Sequence, residues 1–530
     1  MDVSDEPLGI SNELLAGSDE LLRVGNEPLG ISDEPLGVGN ELLGGSNEPS
    51  GGETARCRAP PTRCPVPPRA SLSPSMRAIR IGNGQGFWGD NVDAPVELLK
   101  GGPIDYIGMD YLAEVTLSIM MRQKLKDPRL GYATDFISFI RRVLRDAKER
   151  NVRILTNAGG LNPKACRAKI FEVARELGVS GVRVGVVEGD DLYPRLRDLV
   201  EAGHPLKNMD TGEPIAPVLD HMMSANAYLG ARPVVEALRQ GAQIVLCGRI
   251  TDTALALAPM IHEFGWGEED WDHLAAGTIA GHIIECGAQC TGGNFSRWWE
   301  VPDLWNAGYP IVEGRADGTF TVTKHAGTGG MVTVDTVSEQ LLYEMGDPSG
   351  YITPDVVADF TSIRLHQEGP DRVGVSGIKG RPRTPFLKVS GSYLAGFKGS
   401  GQITISGPRA VDKARLAAEV VWKRLERAGV TFSPENRSEE LVGTGVCLPG
   451  VLPVSGEPPE VVLRLGVRDP DAAKVERFGK EIAPLITAGP PGVTGFAGGR
   501  PKPQEVMAYW PALLAREEVE GRLDVSVEEA

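Results

Sequence analysis

The chain has 530 residues, 41% hydrophobic and 24% charged, an ordinary globular composition with enough length for more than one packed unit. Its formal net charge of -16 argues against nucleic acid as a partner, because phosphate binding needs a basic footprint. No apolar run reaches the roughly 20 residues of a membrane helix, the acidic N-terminus lacks signal-peptide character, and the seven scattered cysteines read as reduced thiols, so a soluble, cytoplasmic protein is expected.

Residues 4 to 52 contain seven successive seven-residue units, from SDEPLGI to SNEPSGG. Proline in four of them and glycine in all but one defeat a coiled-coil reading, since both penalise helix interiors. The composition suits a disordered acidic segment. A Pro/Arg-rich stretch with Cys57 and Cys64 follows, and Met76 is expected to be the native start. The expected organisation is a tail over 1–75, an α/β lobe over 76–350 and an α+β lobe over 351–530.

From Ala78 the chain alternates short apolar runs with helical periodicity. Ala78 to Ile81 reads as a strand, and Gly82 to Gly89 as a glycine-rich turn. That turn is either a cradle of backbone N–H groups for an anion or a plain tight turn, and it matches neither the Rossmann nor the Walker spacing. A helix over Asp93 to Lys100 and a strand over Ile104 to Met109 lead to Asp110-Tyr-Leu-Ala-Glu114. Helices over Leu112 to Lys126 and Phe136 to Arg150 precede a strand over Arg153 to Thr156. This strand ends in Asn157-Ala-Gly-Gly-Leu-Asn162-Pro163. Two carboxamides at a strand end form either an oxyanion-recognition loop or turn chemistry with Asn162 as a helix cap.

A helix over Lys164 to Leu177 and a strand over Val182 to Val187 lead to Glu188, Asp190 and Asp191, either a divalent-cation site or an exposed acidic turn. After a loop through Asn226 and Tyr228 comes a helix over Pro233 to Gln240. Gly241 to Met260 then forms a strand, the polar turn Gly248-Arg249-Ile-Thr251-Asp252 and a helix. Ligands of open α/β sheets bind outside the carboxyl ends of strands, so this turn is where chemistry is expected. The alternative is local: a helix cap, with Arg249 pairing Asp252.

Leu274 to Ala288 reads as a helix with His282, Glu285 and Cys286 on one face, suited to a zinc ligand set, to a nucleophile and its base, or to plain burial. A hairpin over Tyr309 to Lys324 turns at Asp317-Gly318 and ends at His325 in a glycine-rich loop, within reach of substrate as an acid or base. The basic run from Lys379 to Lys398 is either a site for an anionic ligand or a solvated ribbon.

Several of these stretches together resemble one family. Ile81-Gly-Asn-Gly, Asp110-Tyr-Leu-Ala-Glu114, Thr156-Asn-Ala-Gly-Gly-Leu-Asn-Pro163, Ala225-Asn-Ala-Tyr-Leu-Gly230, Gly248-Arg-Ile-Thr-Asp252, Glu285-Cys-Gly-Ala-Gln-Cys-Thr-Gly-Gly-Asn294, Lys324-His-Ala-Gly-Thr-Gly-Gly330 and Tyr351 to Asp359 are similar to the acyclic terpene utilisation AtuA family, formerly a domain of unknown function.

The resemblance implies a role in acyclic monoterpene catabolism, with branched unsaturated acids handled as coenzyme A thioesters alongside an acyl-CoA carboxylase. Two functions follow as expectations: a hydratase or lyase acting on such a thioester, or a non-catalytic partner of the carboxylase. Asp252, His325, Asn157 and Glu285 are the catalytic candidates, and Asn162, Arg249, Thr251, Asp110 and Asn294 the substrate-binding ones. Gly82, Gly84 and Gly86 are the cofactor-binding candidates, no metal is expected, and a homo-oligomer is.

Overall fold

The computed structural model describes residues 78–530 apart from 114–115, 452–455 and 496–498. The heptapeptide repeats, Cys57, Cys64, Met76 and Glu114 lie outside the described residues.

The strands, in chain order, are β1 (Ile79–Gln85), β2 (Tyr106–Met109), β3 (Arg153–Thr156), β4 (Arg183–Glu188), β5 (Met222–Ala227), β6 (Ile244–Cys247), β7 (Ile311–Gly314), β8 (Phe320–Thr323), β9 (Tyr351–Ile352), β10 (Val357–Asp359), β11 (Arg364–Gly369), β12 (Arg372–Ser376), β13 (Lys379–Arg381), β14 (Phe386–Ser406), β15 (Arg437–Val442), β16 (Glu460–Asp469), β17 (Val493–Gly495), β18 (Gln504–Ala515) and β19 (Asp524–Glu529). The longer helices are α1 (Ala94–Gly101), α2 (Thr116–Lys126), α3 (Thr134–Glu149), α4 (Pro163–Glu176), α5 (Leu196–Glu201), α6 (Arg232–Arg239), α7 (Ala254–Phe264), α8 (Trp271–Ile284), α9 (Val334–Leu342), α10 (Ala410–Arg427) and α11 (Ala472–Ile482).

Among the described residues the main sheet runs β11-β12-β8-β7-β1-β2-β3-β6-β4-β19. Its centre, β1-β2-β3-β6-β4, is parallel throughout, and antiparallel strands extend both sides. The middles of β2, β3, β4 and β6 are apolar because both faces of the sheet are covered. Ile154, Val184, Ile244 and Leu246 pack against α1, α3 and α4 on one face. Leu155, Val187, Val245 and Cys247, pointing the other way by the period of two, pack against α6, α7 and α8.

β14 is the spine of the second sheet, pairing with β16, β18 and β5. Its C-terminal half, with β15, β16, α10 and α11, closes a separate core around Val421, Leu465 and Phe478. The chain is thus α/β, with a largely parallel sheet followed by antiparallel α+β structure, as the sequence leads one to expect. β11, β12 and β19, all beyond residue 350, belong to the first sheet, and β9, β10 and β13 form a third, three-stranded one. No helix among the described residues is long and apolar enough to cross a membrane.

Two local expectations change. β1 continues to Gln85, so Gly82 and Gly84 lie inside a strand rather than a turn. Helix α1 lies so close that a Cβ on Gly82 would meet Leu98 at 2.6 Å, and one on Gly84 would meet Pro95 at 2.6 Å. The stretch around Asn226, expected as a loop, is β5.

Candidate functional site

β3 and β6 are neighbours in the sheet, yet the chain leaves β3 for α4 on one face and leaves β6 for α7 on the other. Diverging exits of this kind open a crevice at the carboxyl rim, the place where α/β sheets take ligands. Asn157 stands at the exit of β3, Asp110 at that of β2, Asp190 just beyond β4, and Arg249 and Asp252 beyond β6.

These side chains bind one another. Asn157 Nδ2 donates to Asp110 Oδ1 at 2.6 Å while Asn157 Oδ1 accepts from the Tyr111 N–H, so both ends of this carboxamide hold protein. Asp110 Oδ1 also accepts from the Leu112 N–H. Arg249 donates to Asp252 Oδ1 at 2.6 Å and to the Leu112 carbonyl at 2.5 Å, and its guanidinium lies 4.1 Å from the centre of the Tyr228 ring. Lys388 of β14 approaches the same ring at 5.1 Å. Beneath them Asp190 Oδ2 accepts from the Arg249 N–H and from Asn226 Nδ2, which ties the turn to the floor of the site.

Asp252 lies in a recess, surrounded by protein but with 37% of its side chain open to solvent. Burial raises its carboxyl well above the usual range. Arg249 opposes that shift, and the adjacent Asp110, to which Asp252 is hydrogen-bonded, adds to it. The recess therefore sets two carboxyl groups side by side, with the Arg249 guanidinium on one of them.

A further polar group comes from α8. His282 Nδ1 lies 3.1 Å from Glu285, on the shared face that their spacing predicts. Burial pushes the Glu285 carboxyl up; burial acts in the opposite sense on His282, but the Glu285 charge and hydrogen bond leave the imidazole raised. Asn83 of β1 donates to the carbonyls of Ile284 and Glu285, fixing the helix end over the rim. Asn83, Asp110, Asp252 and Glu285 together line a cavity of about 10 Å³, room for about one water molecule. Tyr351 packs edge-on against His282. The Cys286 thiol is pushed up to about 12, mainly by burial, the opposite of what a nucleophilic thiolate needs.

The other candidates lie elsewhere or have structural partners. His325 packs against Gly101 and Gly102, and its Nε2 is 2.8 Å from the Leu98 carbonyl of α1, so it does not join the cluster. Asn162 caps α4, accepting from the Ala165 N–H and donating to the carbonyls of Pro128 and Leu130. Thr251 is held by its N–H to the Leu229 carbonyl, beside the recess. Asn294 is an exposed left-handed turn residue near Gln289. Gly86 permits close approach to α8, since its Cβ would lie 2.9 Å from the Cys286 backbone. The space above Gly82, Gly84 and Gly86 is therefore filled by protein, not left open as an anion cradle.

Glu188, Asp190 and Asp191 also part company. Glu188 pairs with Lys164, Asp190 holds the Arg249 turn, and Asp191 accepts from the Tyr193 N–H. The basic run is dispersed likewise, Lys379 pairing with Asp272 and Arg383 with Glu520.

The profile of the acyclic terpene utilisation family protein AtuA matches residues 79–525. The chain belongs to the AtuA family. The match begins at β1 and runs into β19, so it spans the ten-, six- and three-stranded sheets of this AtuA-family protein. No curated protein and no solved structure matches the chain. Membership suggests a role in acyclic terpene utilisation.

Sequence reasoning reached Asp110, Asn157, Arg249, Asp252 and Glu285 because each follows a strand or ends a helix. It passed over Asn83, hidden in a supposed turn, and it named Lys388 only as part of the basic run, without placing it beside Tyr228 at this site.

Proposed function

We propose that this AtuA-family protein is an enzyme that adds water to, or eliminates it from, a branched unsaturated acyl-coenzyme A thioester. The observation that supports this most is the raised Asp252 carboxyl, hydrogen-bonded to Asp110 and gripped by Arg249 in a recess at the carboxyl rim. Hydration of a conjugated double bond needs one group to give a proton and another to take one, and two adjacent carboxyl groups, one held by Asn157 and the other by Arg249, can divide those roles. In this reading Asp110 takes a proton from water as its oxygen bonds to the β-carbon, and Asp252 gives its proton to the α-carbon. Elimination is the reverse. Asn157 orients Asp110, Arg249 orients Asp252, and Glu285 borders the position where the water sits.

The test is incubation of the pure protein with a panel of branched unsaturated acyl-coenzyme A thioesters, read by mass spectrometry for gain or loss of one water. Turnover is expected, and Asp252→Asn is expected to lower kcat by about a hundredfold or more, the usual weight of a positioned acid. Binding without turnover by the wild type, or undiminished turnover by Asp252→Asn, overturns the assignment.

A further inference from the structure

α10 and α11 cover one face of the small sheet, where Leu465 and Phe478 are buried, and leave the other to solvent, where Ser400, Gln402, Arg464 and Arg468 are exposed. Gly399 faces α11, where a Cβ would meet Val475 at 2.8 Å, so Lys398 and Ser400 point the other way by the period of two. The strand register then lays out the open face. Ser438 of β15, Gly466 of β16 and Ser400 of β14 stand side by side, and the next row is Arg468 of β16, Lys398 of β14 and Gln504 of β18. The small residues make a floor, and the segment from Gly499 to Lys502 bounds it, leaving a groove of about 860 Å³.

The charge in this groove is one-sided. Lys398, Arg437, Arg468, Arg500 and Lys502 line it against the single acid Glu435, in a chain whose net charge is -16. None of these cations makes an ion pair among the described residues; Arg437 lies over the Trp422 ring at 5.5 Å, and Glu435 is hydrogen-bonded to Ser433. The acids nearby are engaged elsewhere, Glu440 with Arg464, Asp469 with Lys474 and Glu505 with Arg122. Lys398 and Arg468 are direct cross-strand partners, and like charges so placed destabilise a sheet. A bound anion between them removes that cost.

Several cations spread over one groove match several negative charges on one molecule, and guanidinium forks fit the oxygens of phosphate. None of the described residues in the lining is aromatic, so nucleic-acid bases find no ring to stack on. We infer that this face binds a small polyanion built of linked phosphate groups, held by Lys398 and Arg468 from the floor and by Arg500 and Lys502 from the edge. Lys398 lies on the order of 30 Å along β14 from Lys388 of the rim. The groove is thus a second site and does not depend on the chemistry proposed at the first.

The test titrates the full chain with inorganic tripolyphosphate by calorimetry. Saturable binding is expected, at least about tenfold tighter than that of orthophosphate, which reaches fewer of the cations. Lys398→Gln/Arg468→Gln should weaken tripolyphosphate at least about tenfold. Lys126→Gln/Lys207→Gln, which removes the same charge at exposed positions elsewhere, should stay within about twofold of the wild type. Thermal unfolding gives a second readout. Without ligand the Lys398→Gln/Arg468→Gln variant should melt no lower than the wild type, since the opposed charges are gone, and tripolyphosphate should raise the midpoint of the wild type alone. Asp252→Asn should bind tripolyphosphate like the wild type, so failure here and failure of the hydration chemistry are distinguishable. Absent or non-saturable binding, equal affinity for orthophosphate, equal weakening in the two double variants, or tighter binding of a glutamate-rich peptide or a single-stranded oligonucleotide overturns the inference.

Discussion

Asp190 shows how a site of this kind sets the stability of its own fold. Its carboxyl is 4% exposed, and burial pushes it from 3.8 up to about 7, against the hydrogen bonds from Arg249 and Asn226. A raised acid keeps its proton in the folded chain after the unfolded chain has lost its own. Stability therefore falls as pH rises from the unfolded value to the folded one, then levels off. Between pH 5 and pH 7 the loss from this group is about 2 kcal/mol. Asp190→Asn preserves an oxygen for both donors and removes the titration. Urea unfolding should show the variant gaining about that much on the wild type between those pH values, and parallel profiles would refute it. Asp190 was noticed in the sequence as an acidic residue at a strand end, but not as the fastening of the Arg249 turn. That role needs Asn226, which sits on a strand whose partner, β14, lies more than a hundred residues away.

Among the elements, those with local periodicity were legible almost to the residue. β3 was expected over Arg153 to Thr156 and is found there; α3, α4 and the hairpin of β7 and β8 shift by one or two residues. β5 was not legible because Ser224 and Asn226 are buried polar residues, which break the apolar pattern of a covered strand. β1 was read short because its glycines answer to α1, not to a turn. Asn162 belongs at this scale too, since the structure gives it to α4. Asn162→Ala should cost about 1–2 kcal/mol in thermal or urea unfolding through the lost cap. Its turnover at saturating thioester should stay within about twofold of the wild type, unlike a residue that polarises the reacting carbonyl. His325 has a comparable assignment, joining the loop after β8 to the end of α1.

At the scale of the molecule, the family was legible from separated motifs, and the order of a largely parallel α/β part before an α+β part from the alternation of strands and helices. The way the sheets interlock was not, because it rests on pairings between distant segments. β14 runs unbroken from the large core to the small one. Phe478 is fully buried in the small core and stacks on Trp422 at 6.1 Å. Phe478→Ala should cost about 3–5 kcal/mol, seen as a lower urea midpoint with an unchanged slope. The continuity of β14 predicts that Trp422 in the small core and Trp510 in the large one report the same transition.

The edge of β4 is covered by β19, which pairs with it from Asp524 to Glu529. During translation β4 leaves the ribosome about 300 residues before the strand that shields it. Through that interval a row of unpaired amides faces solvent or any neighbouring nascent polypeptide. The order of synthesis thus places the most exposed moment of this protein's life before its completion, when a chaperone or a pause in elongation has the most to contribute.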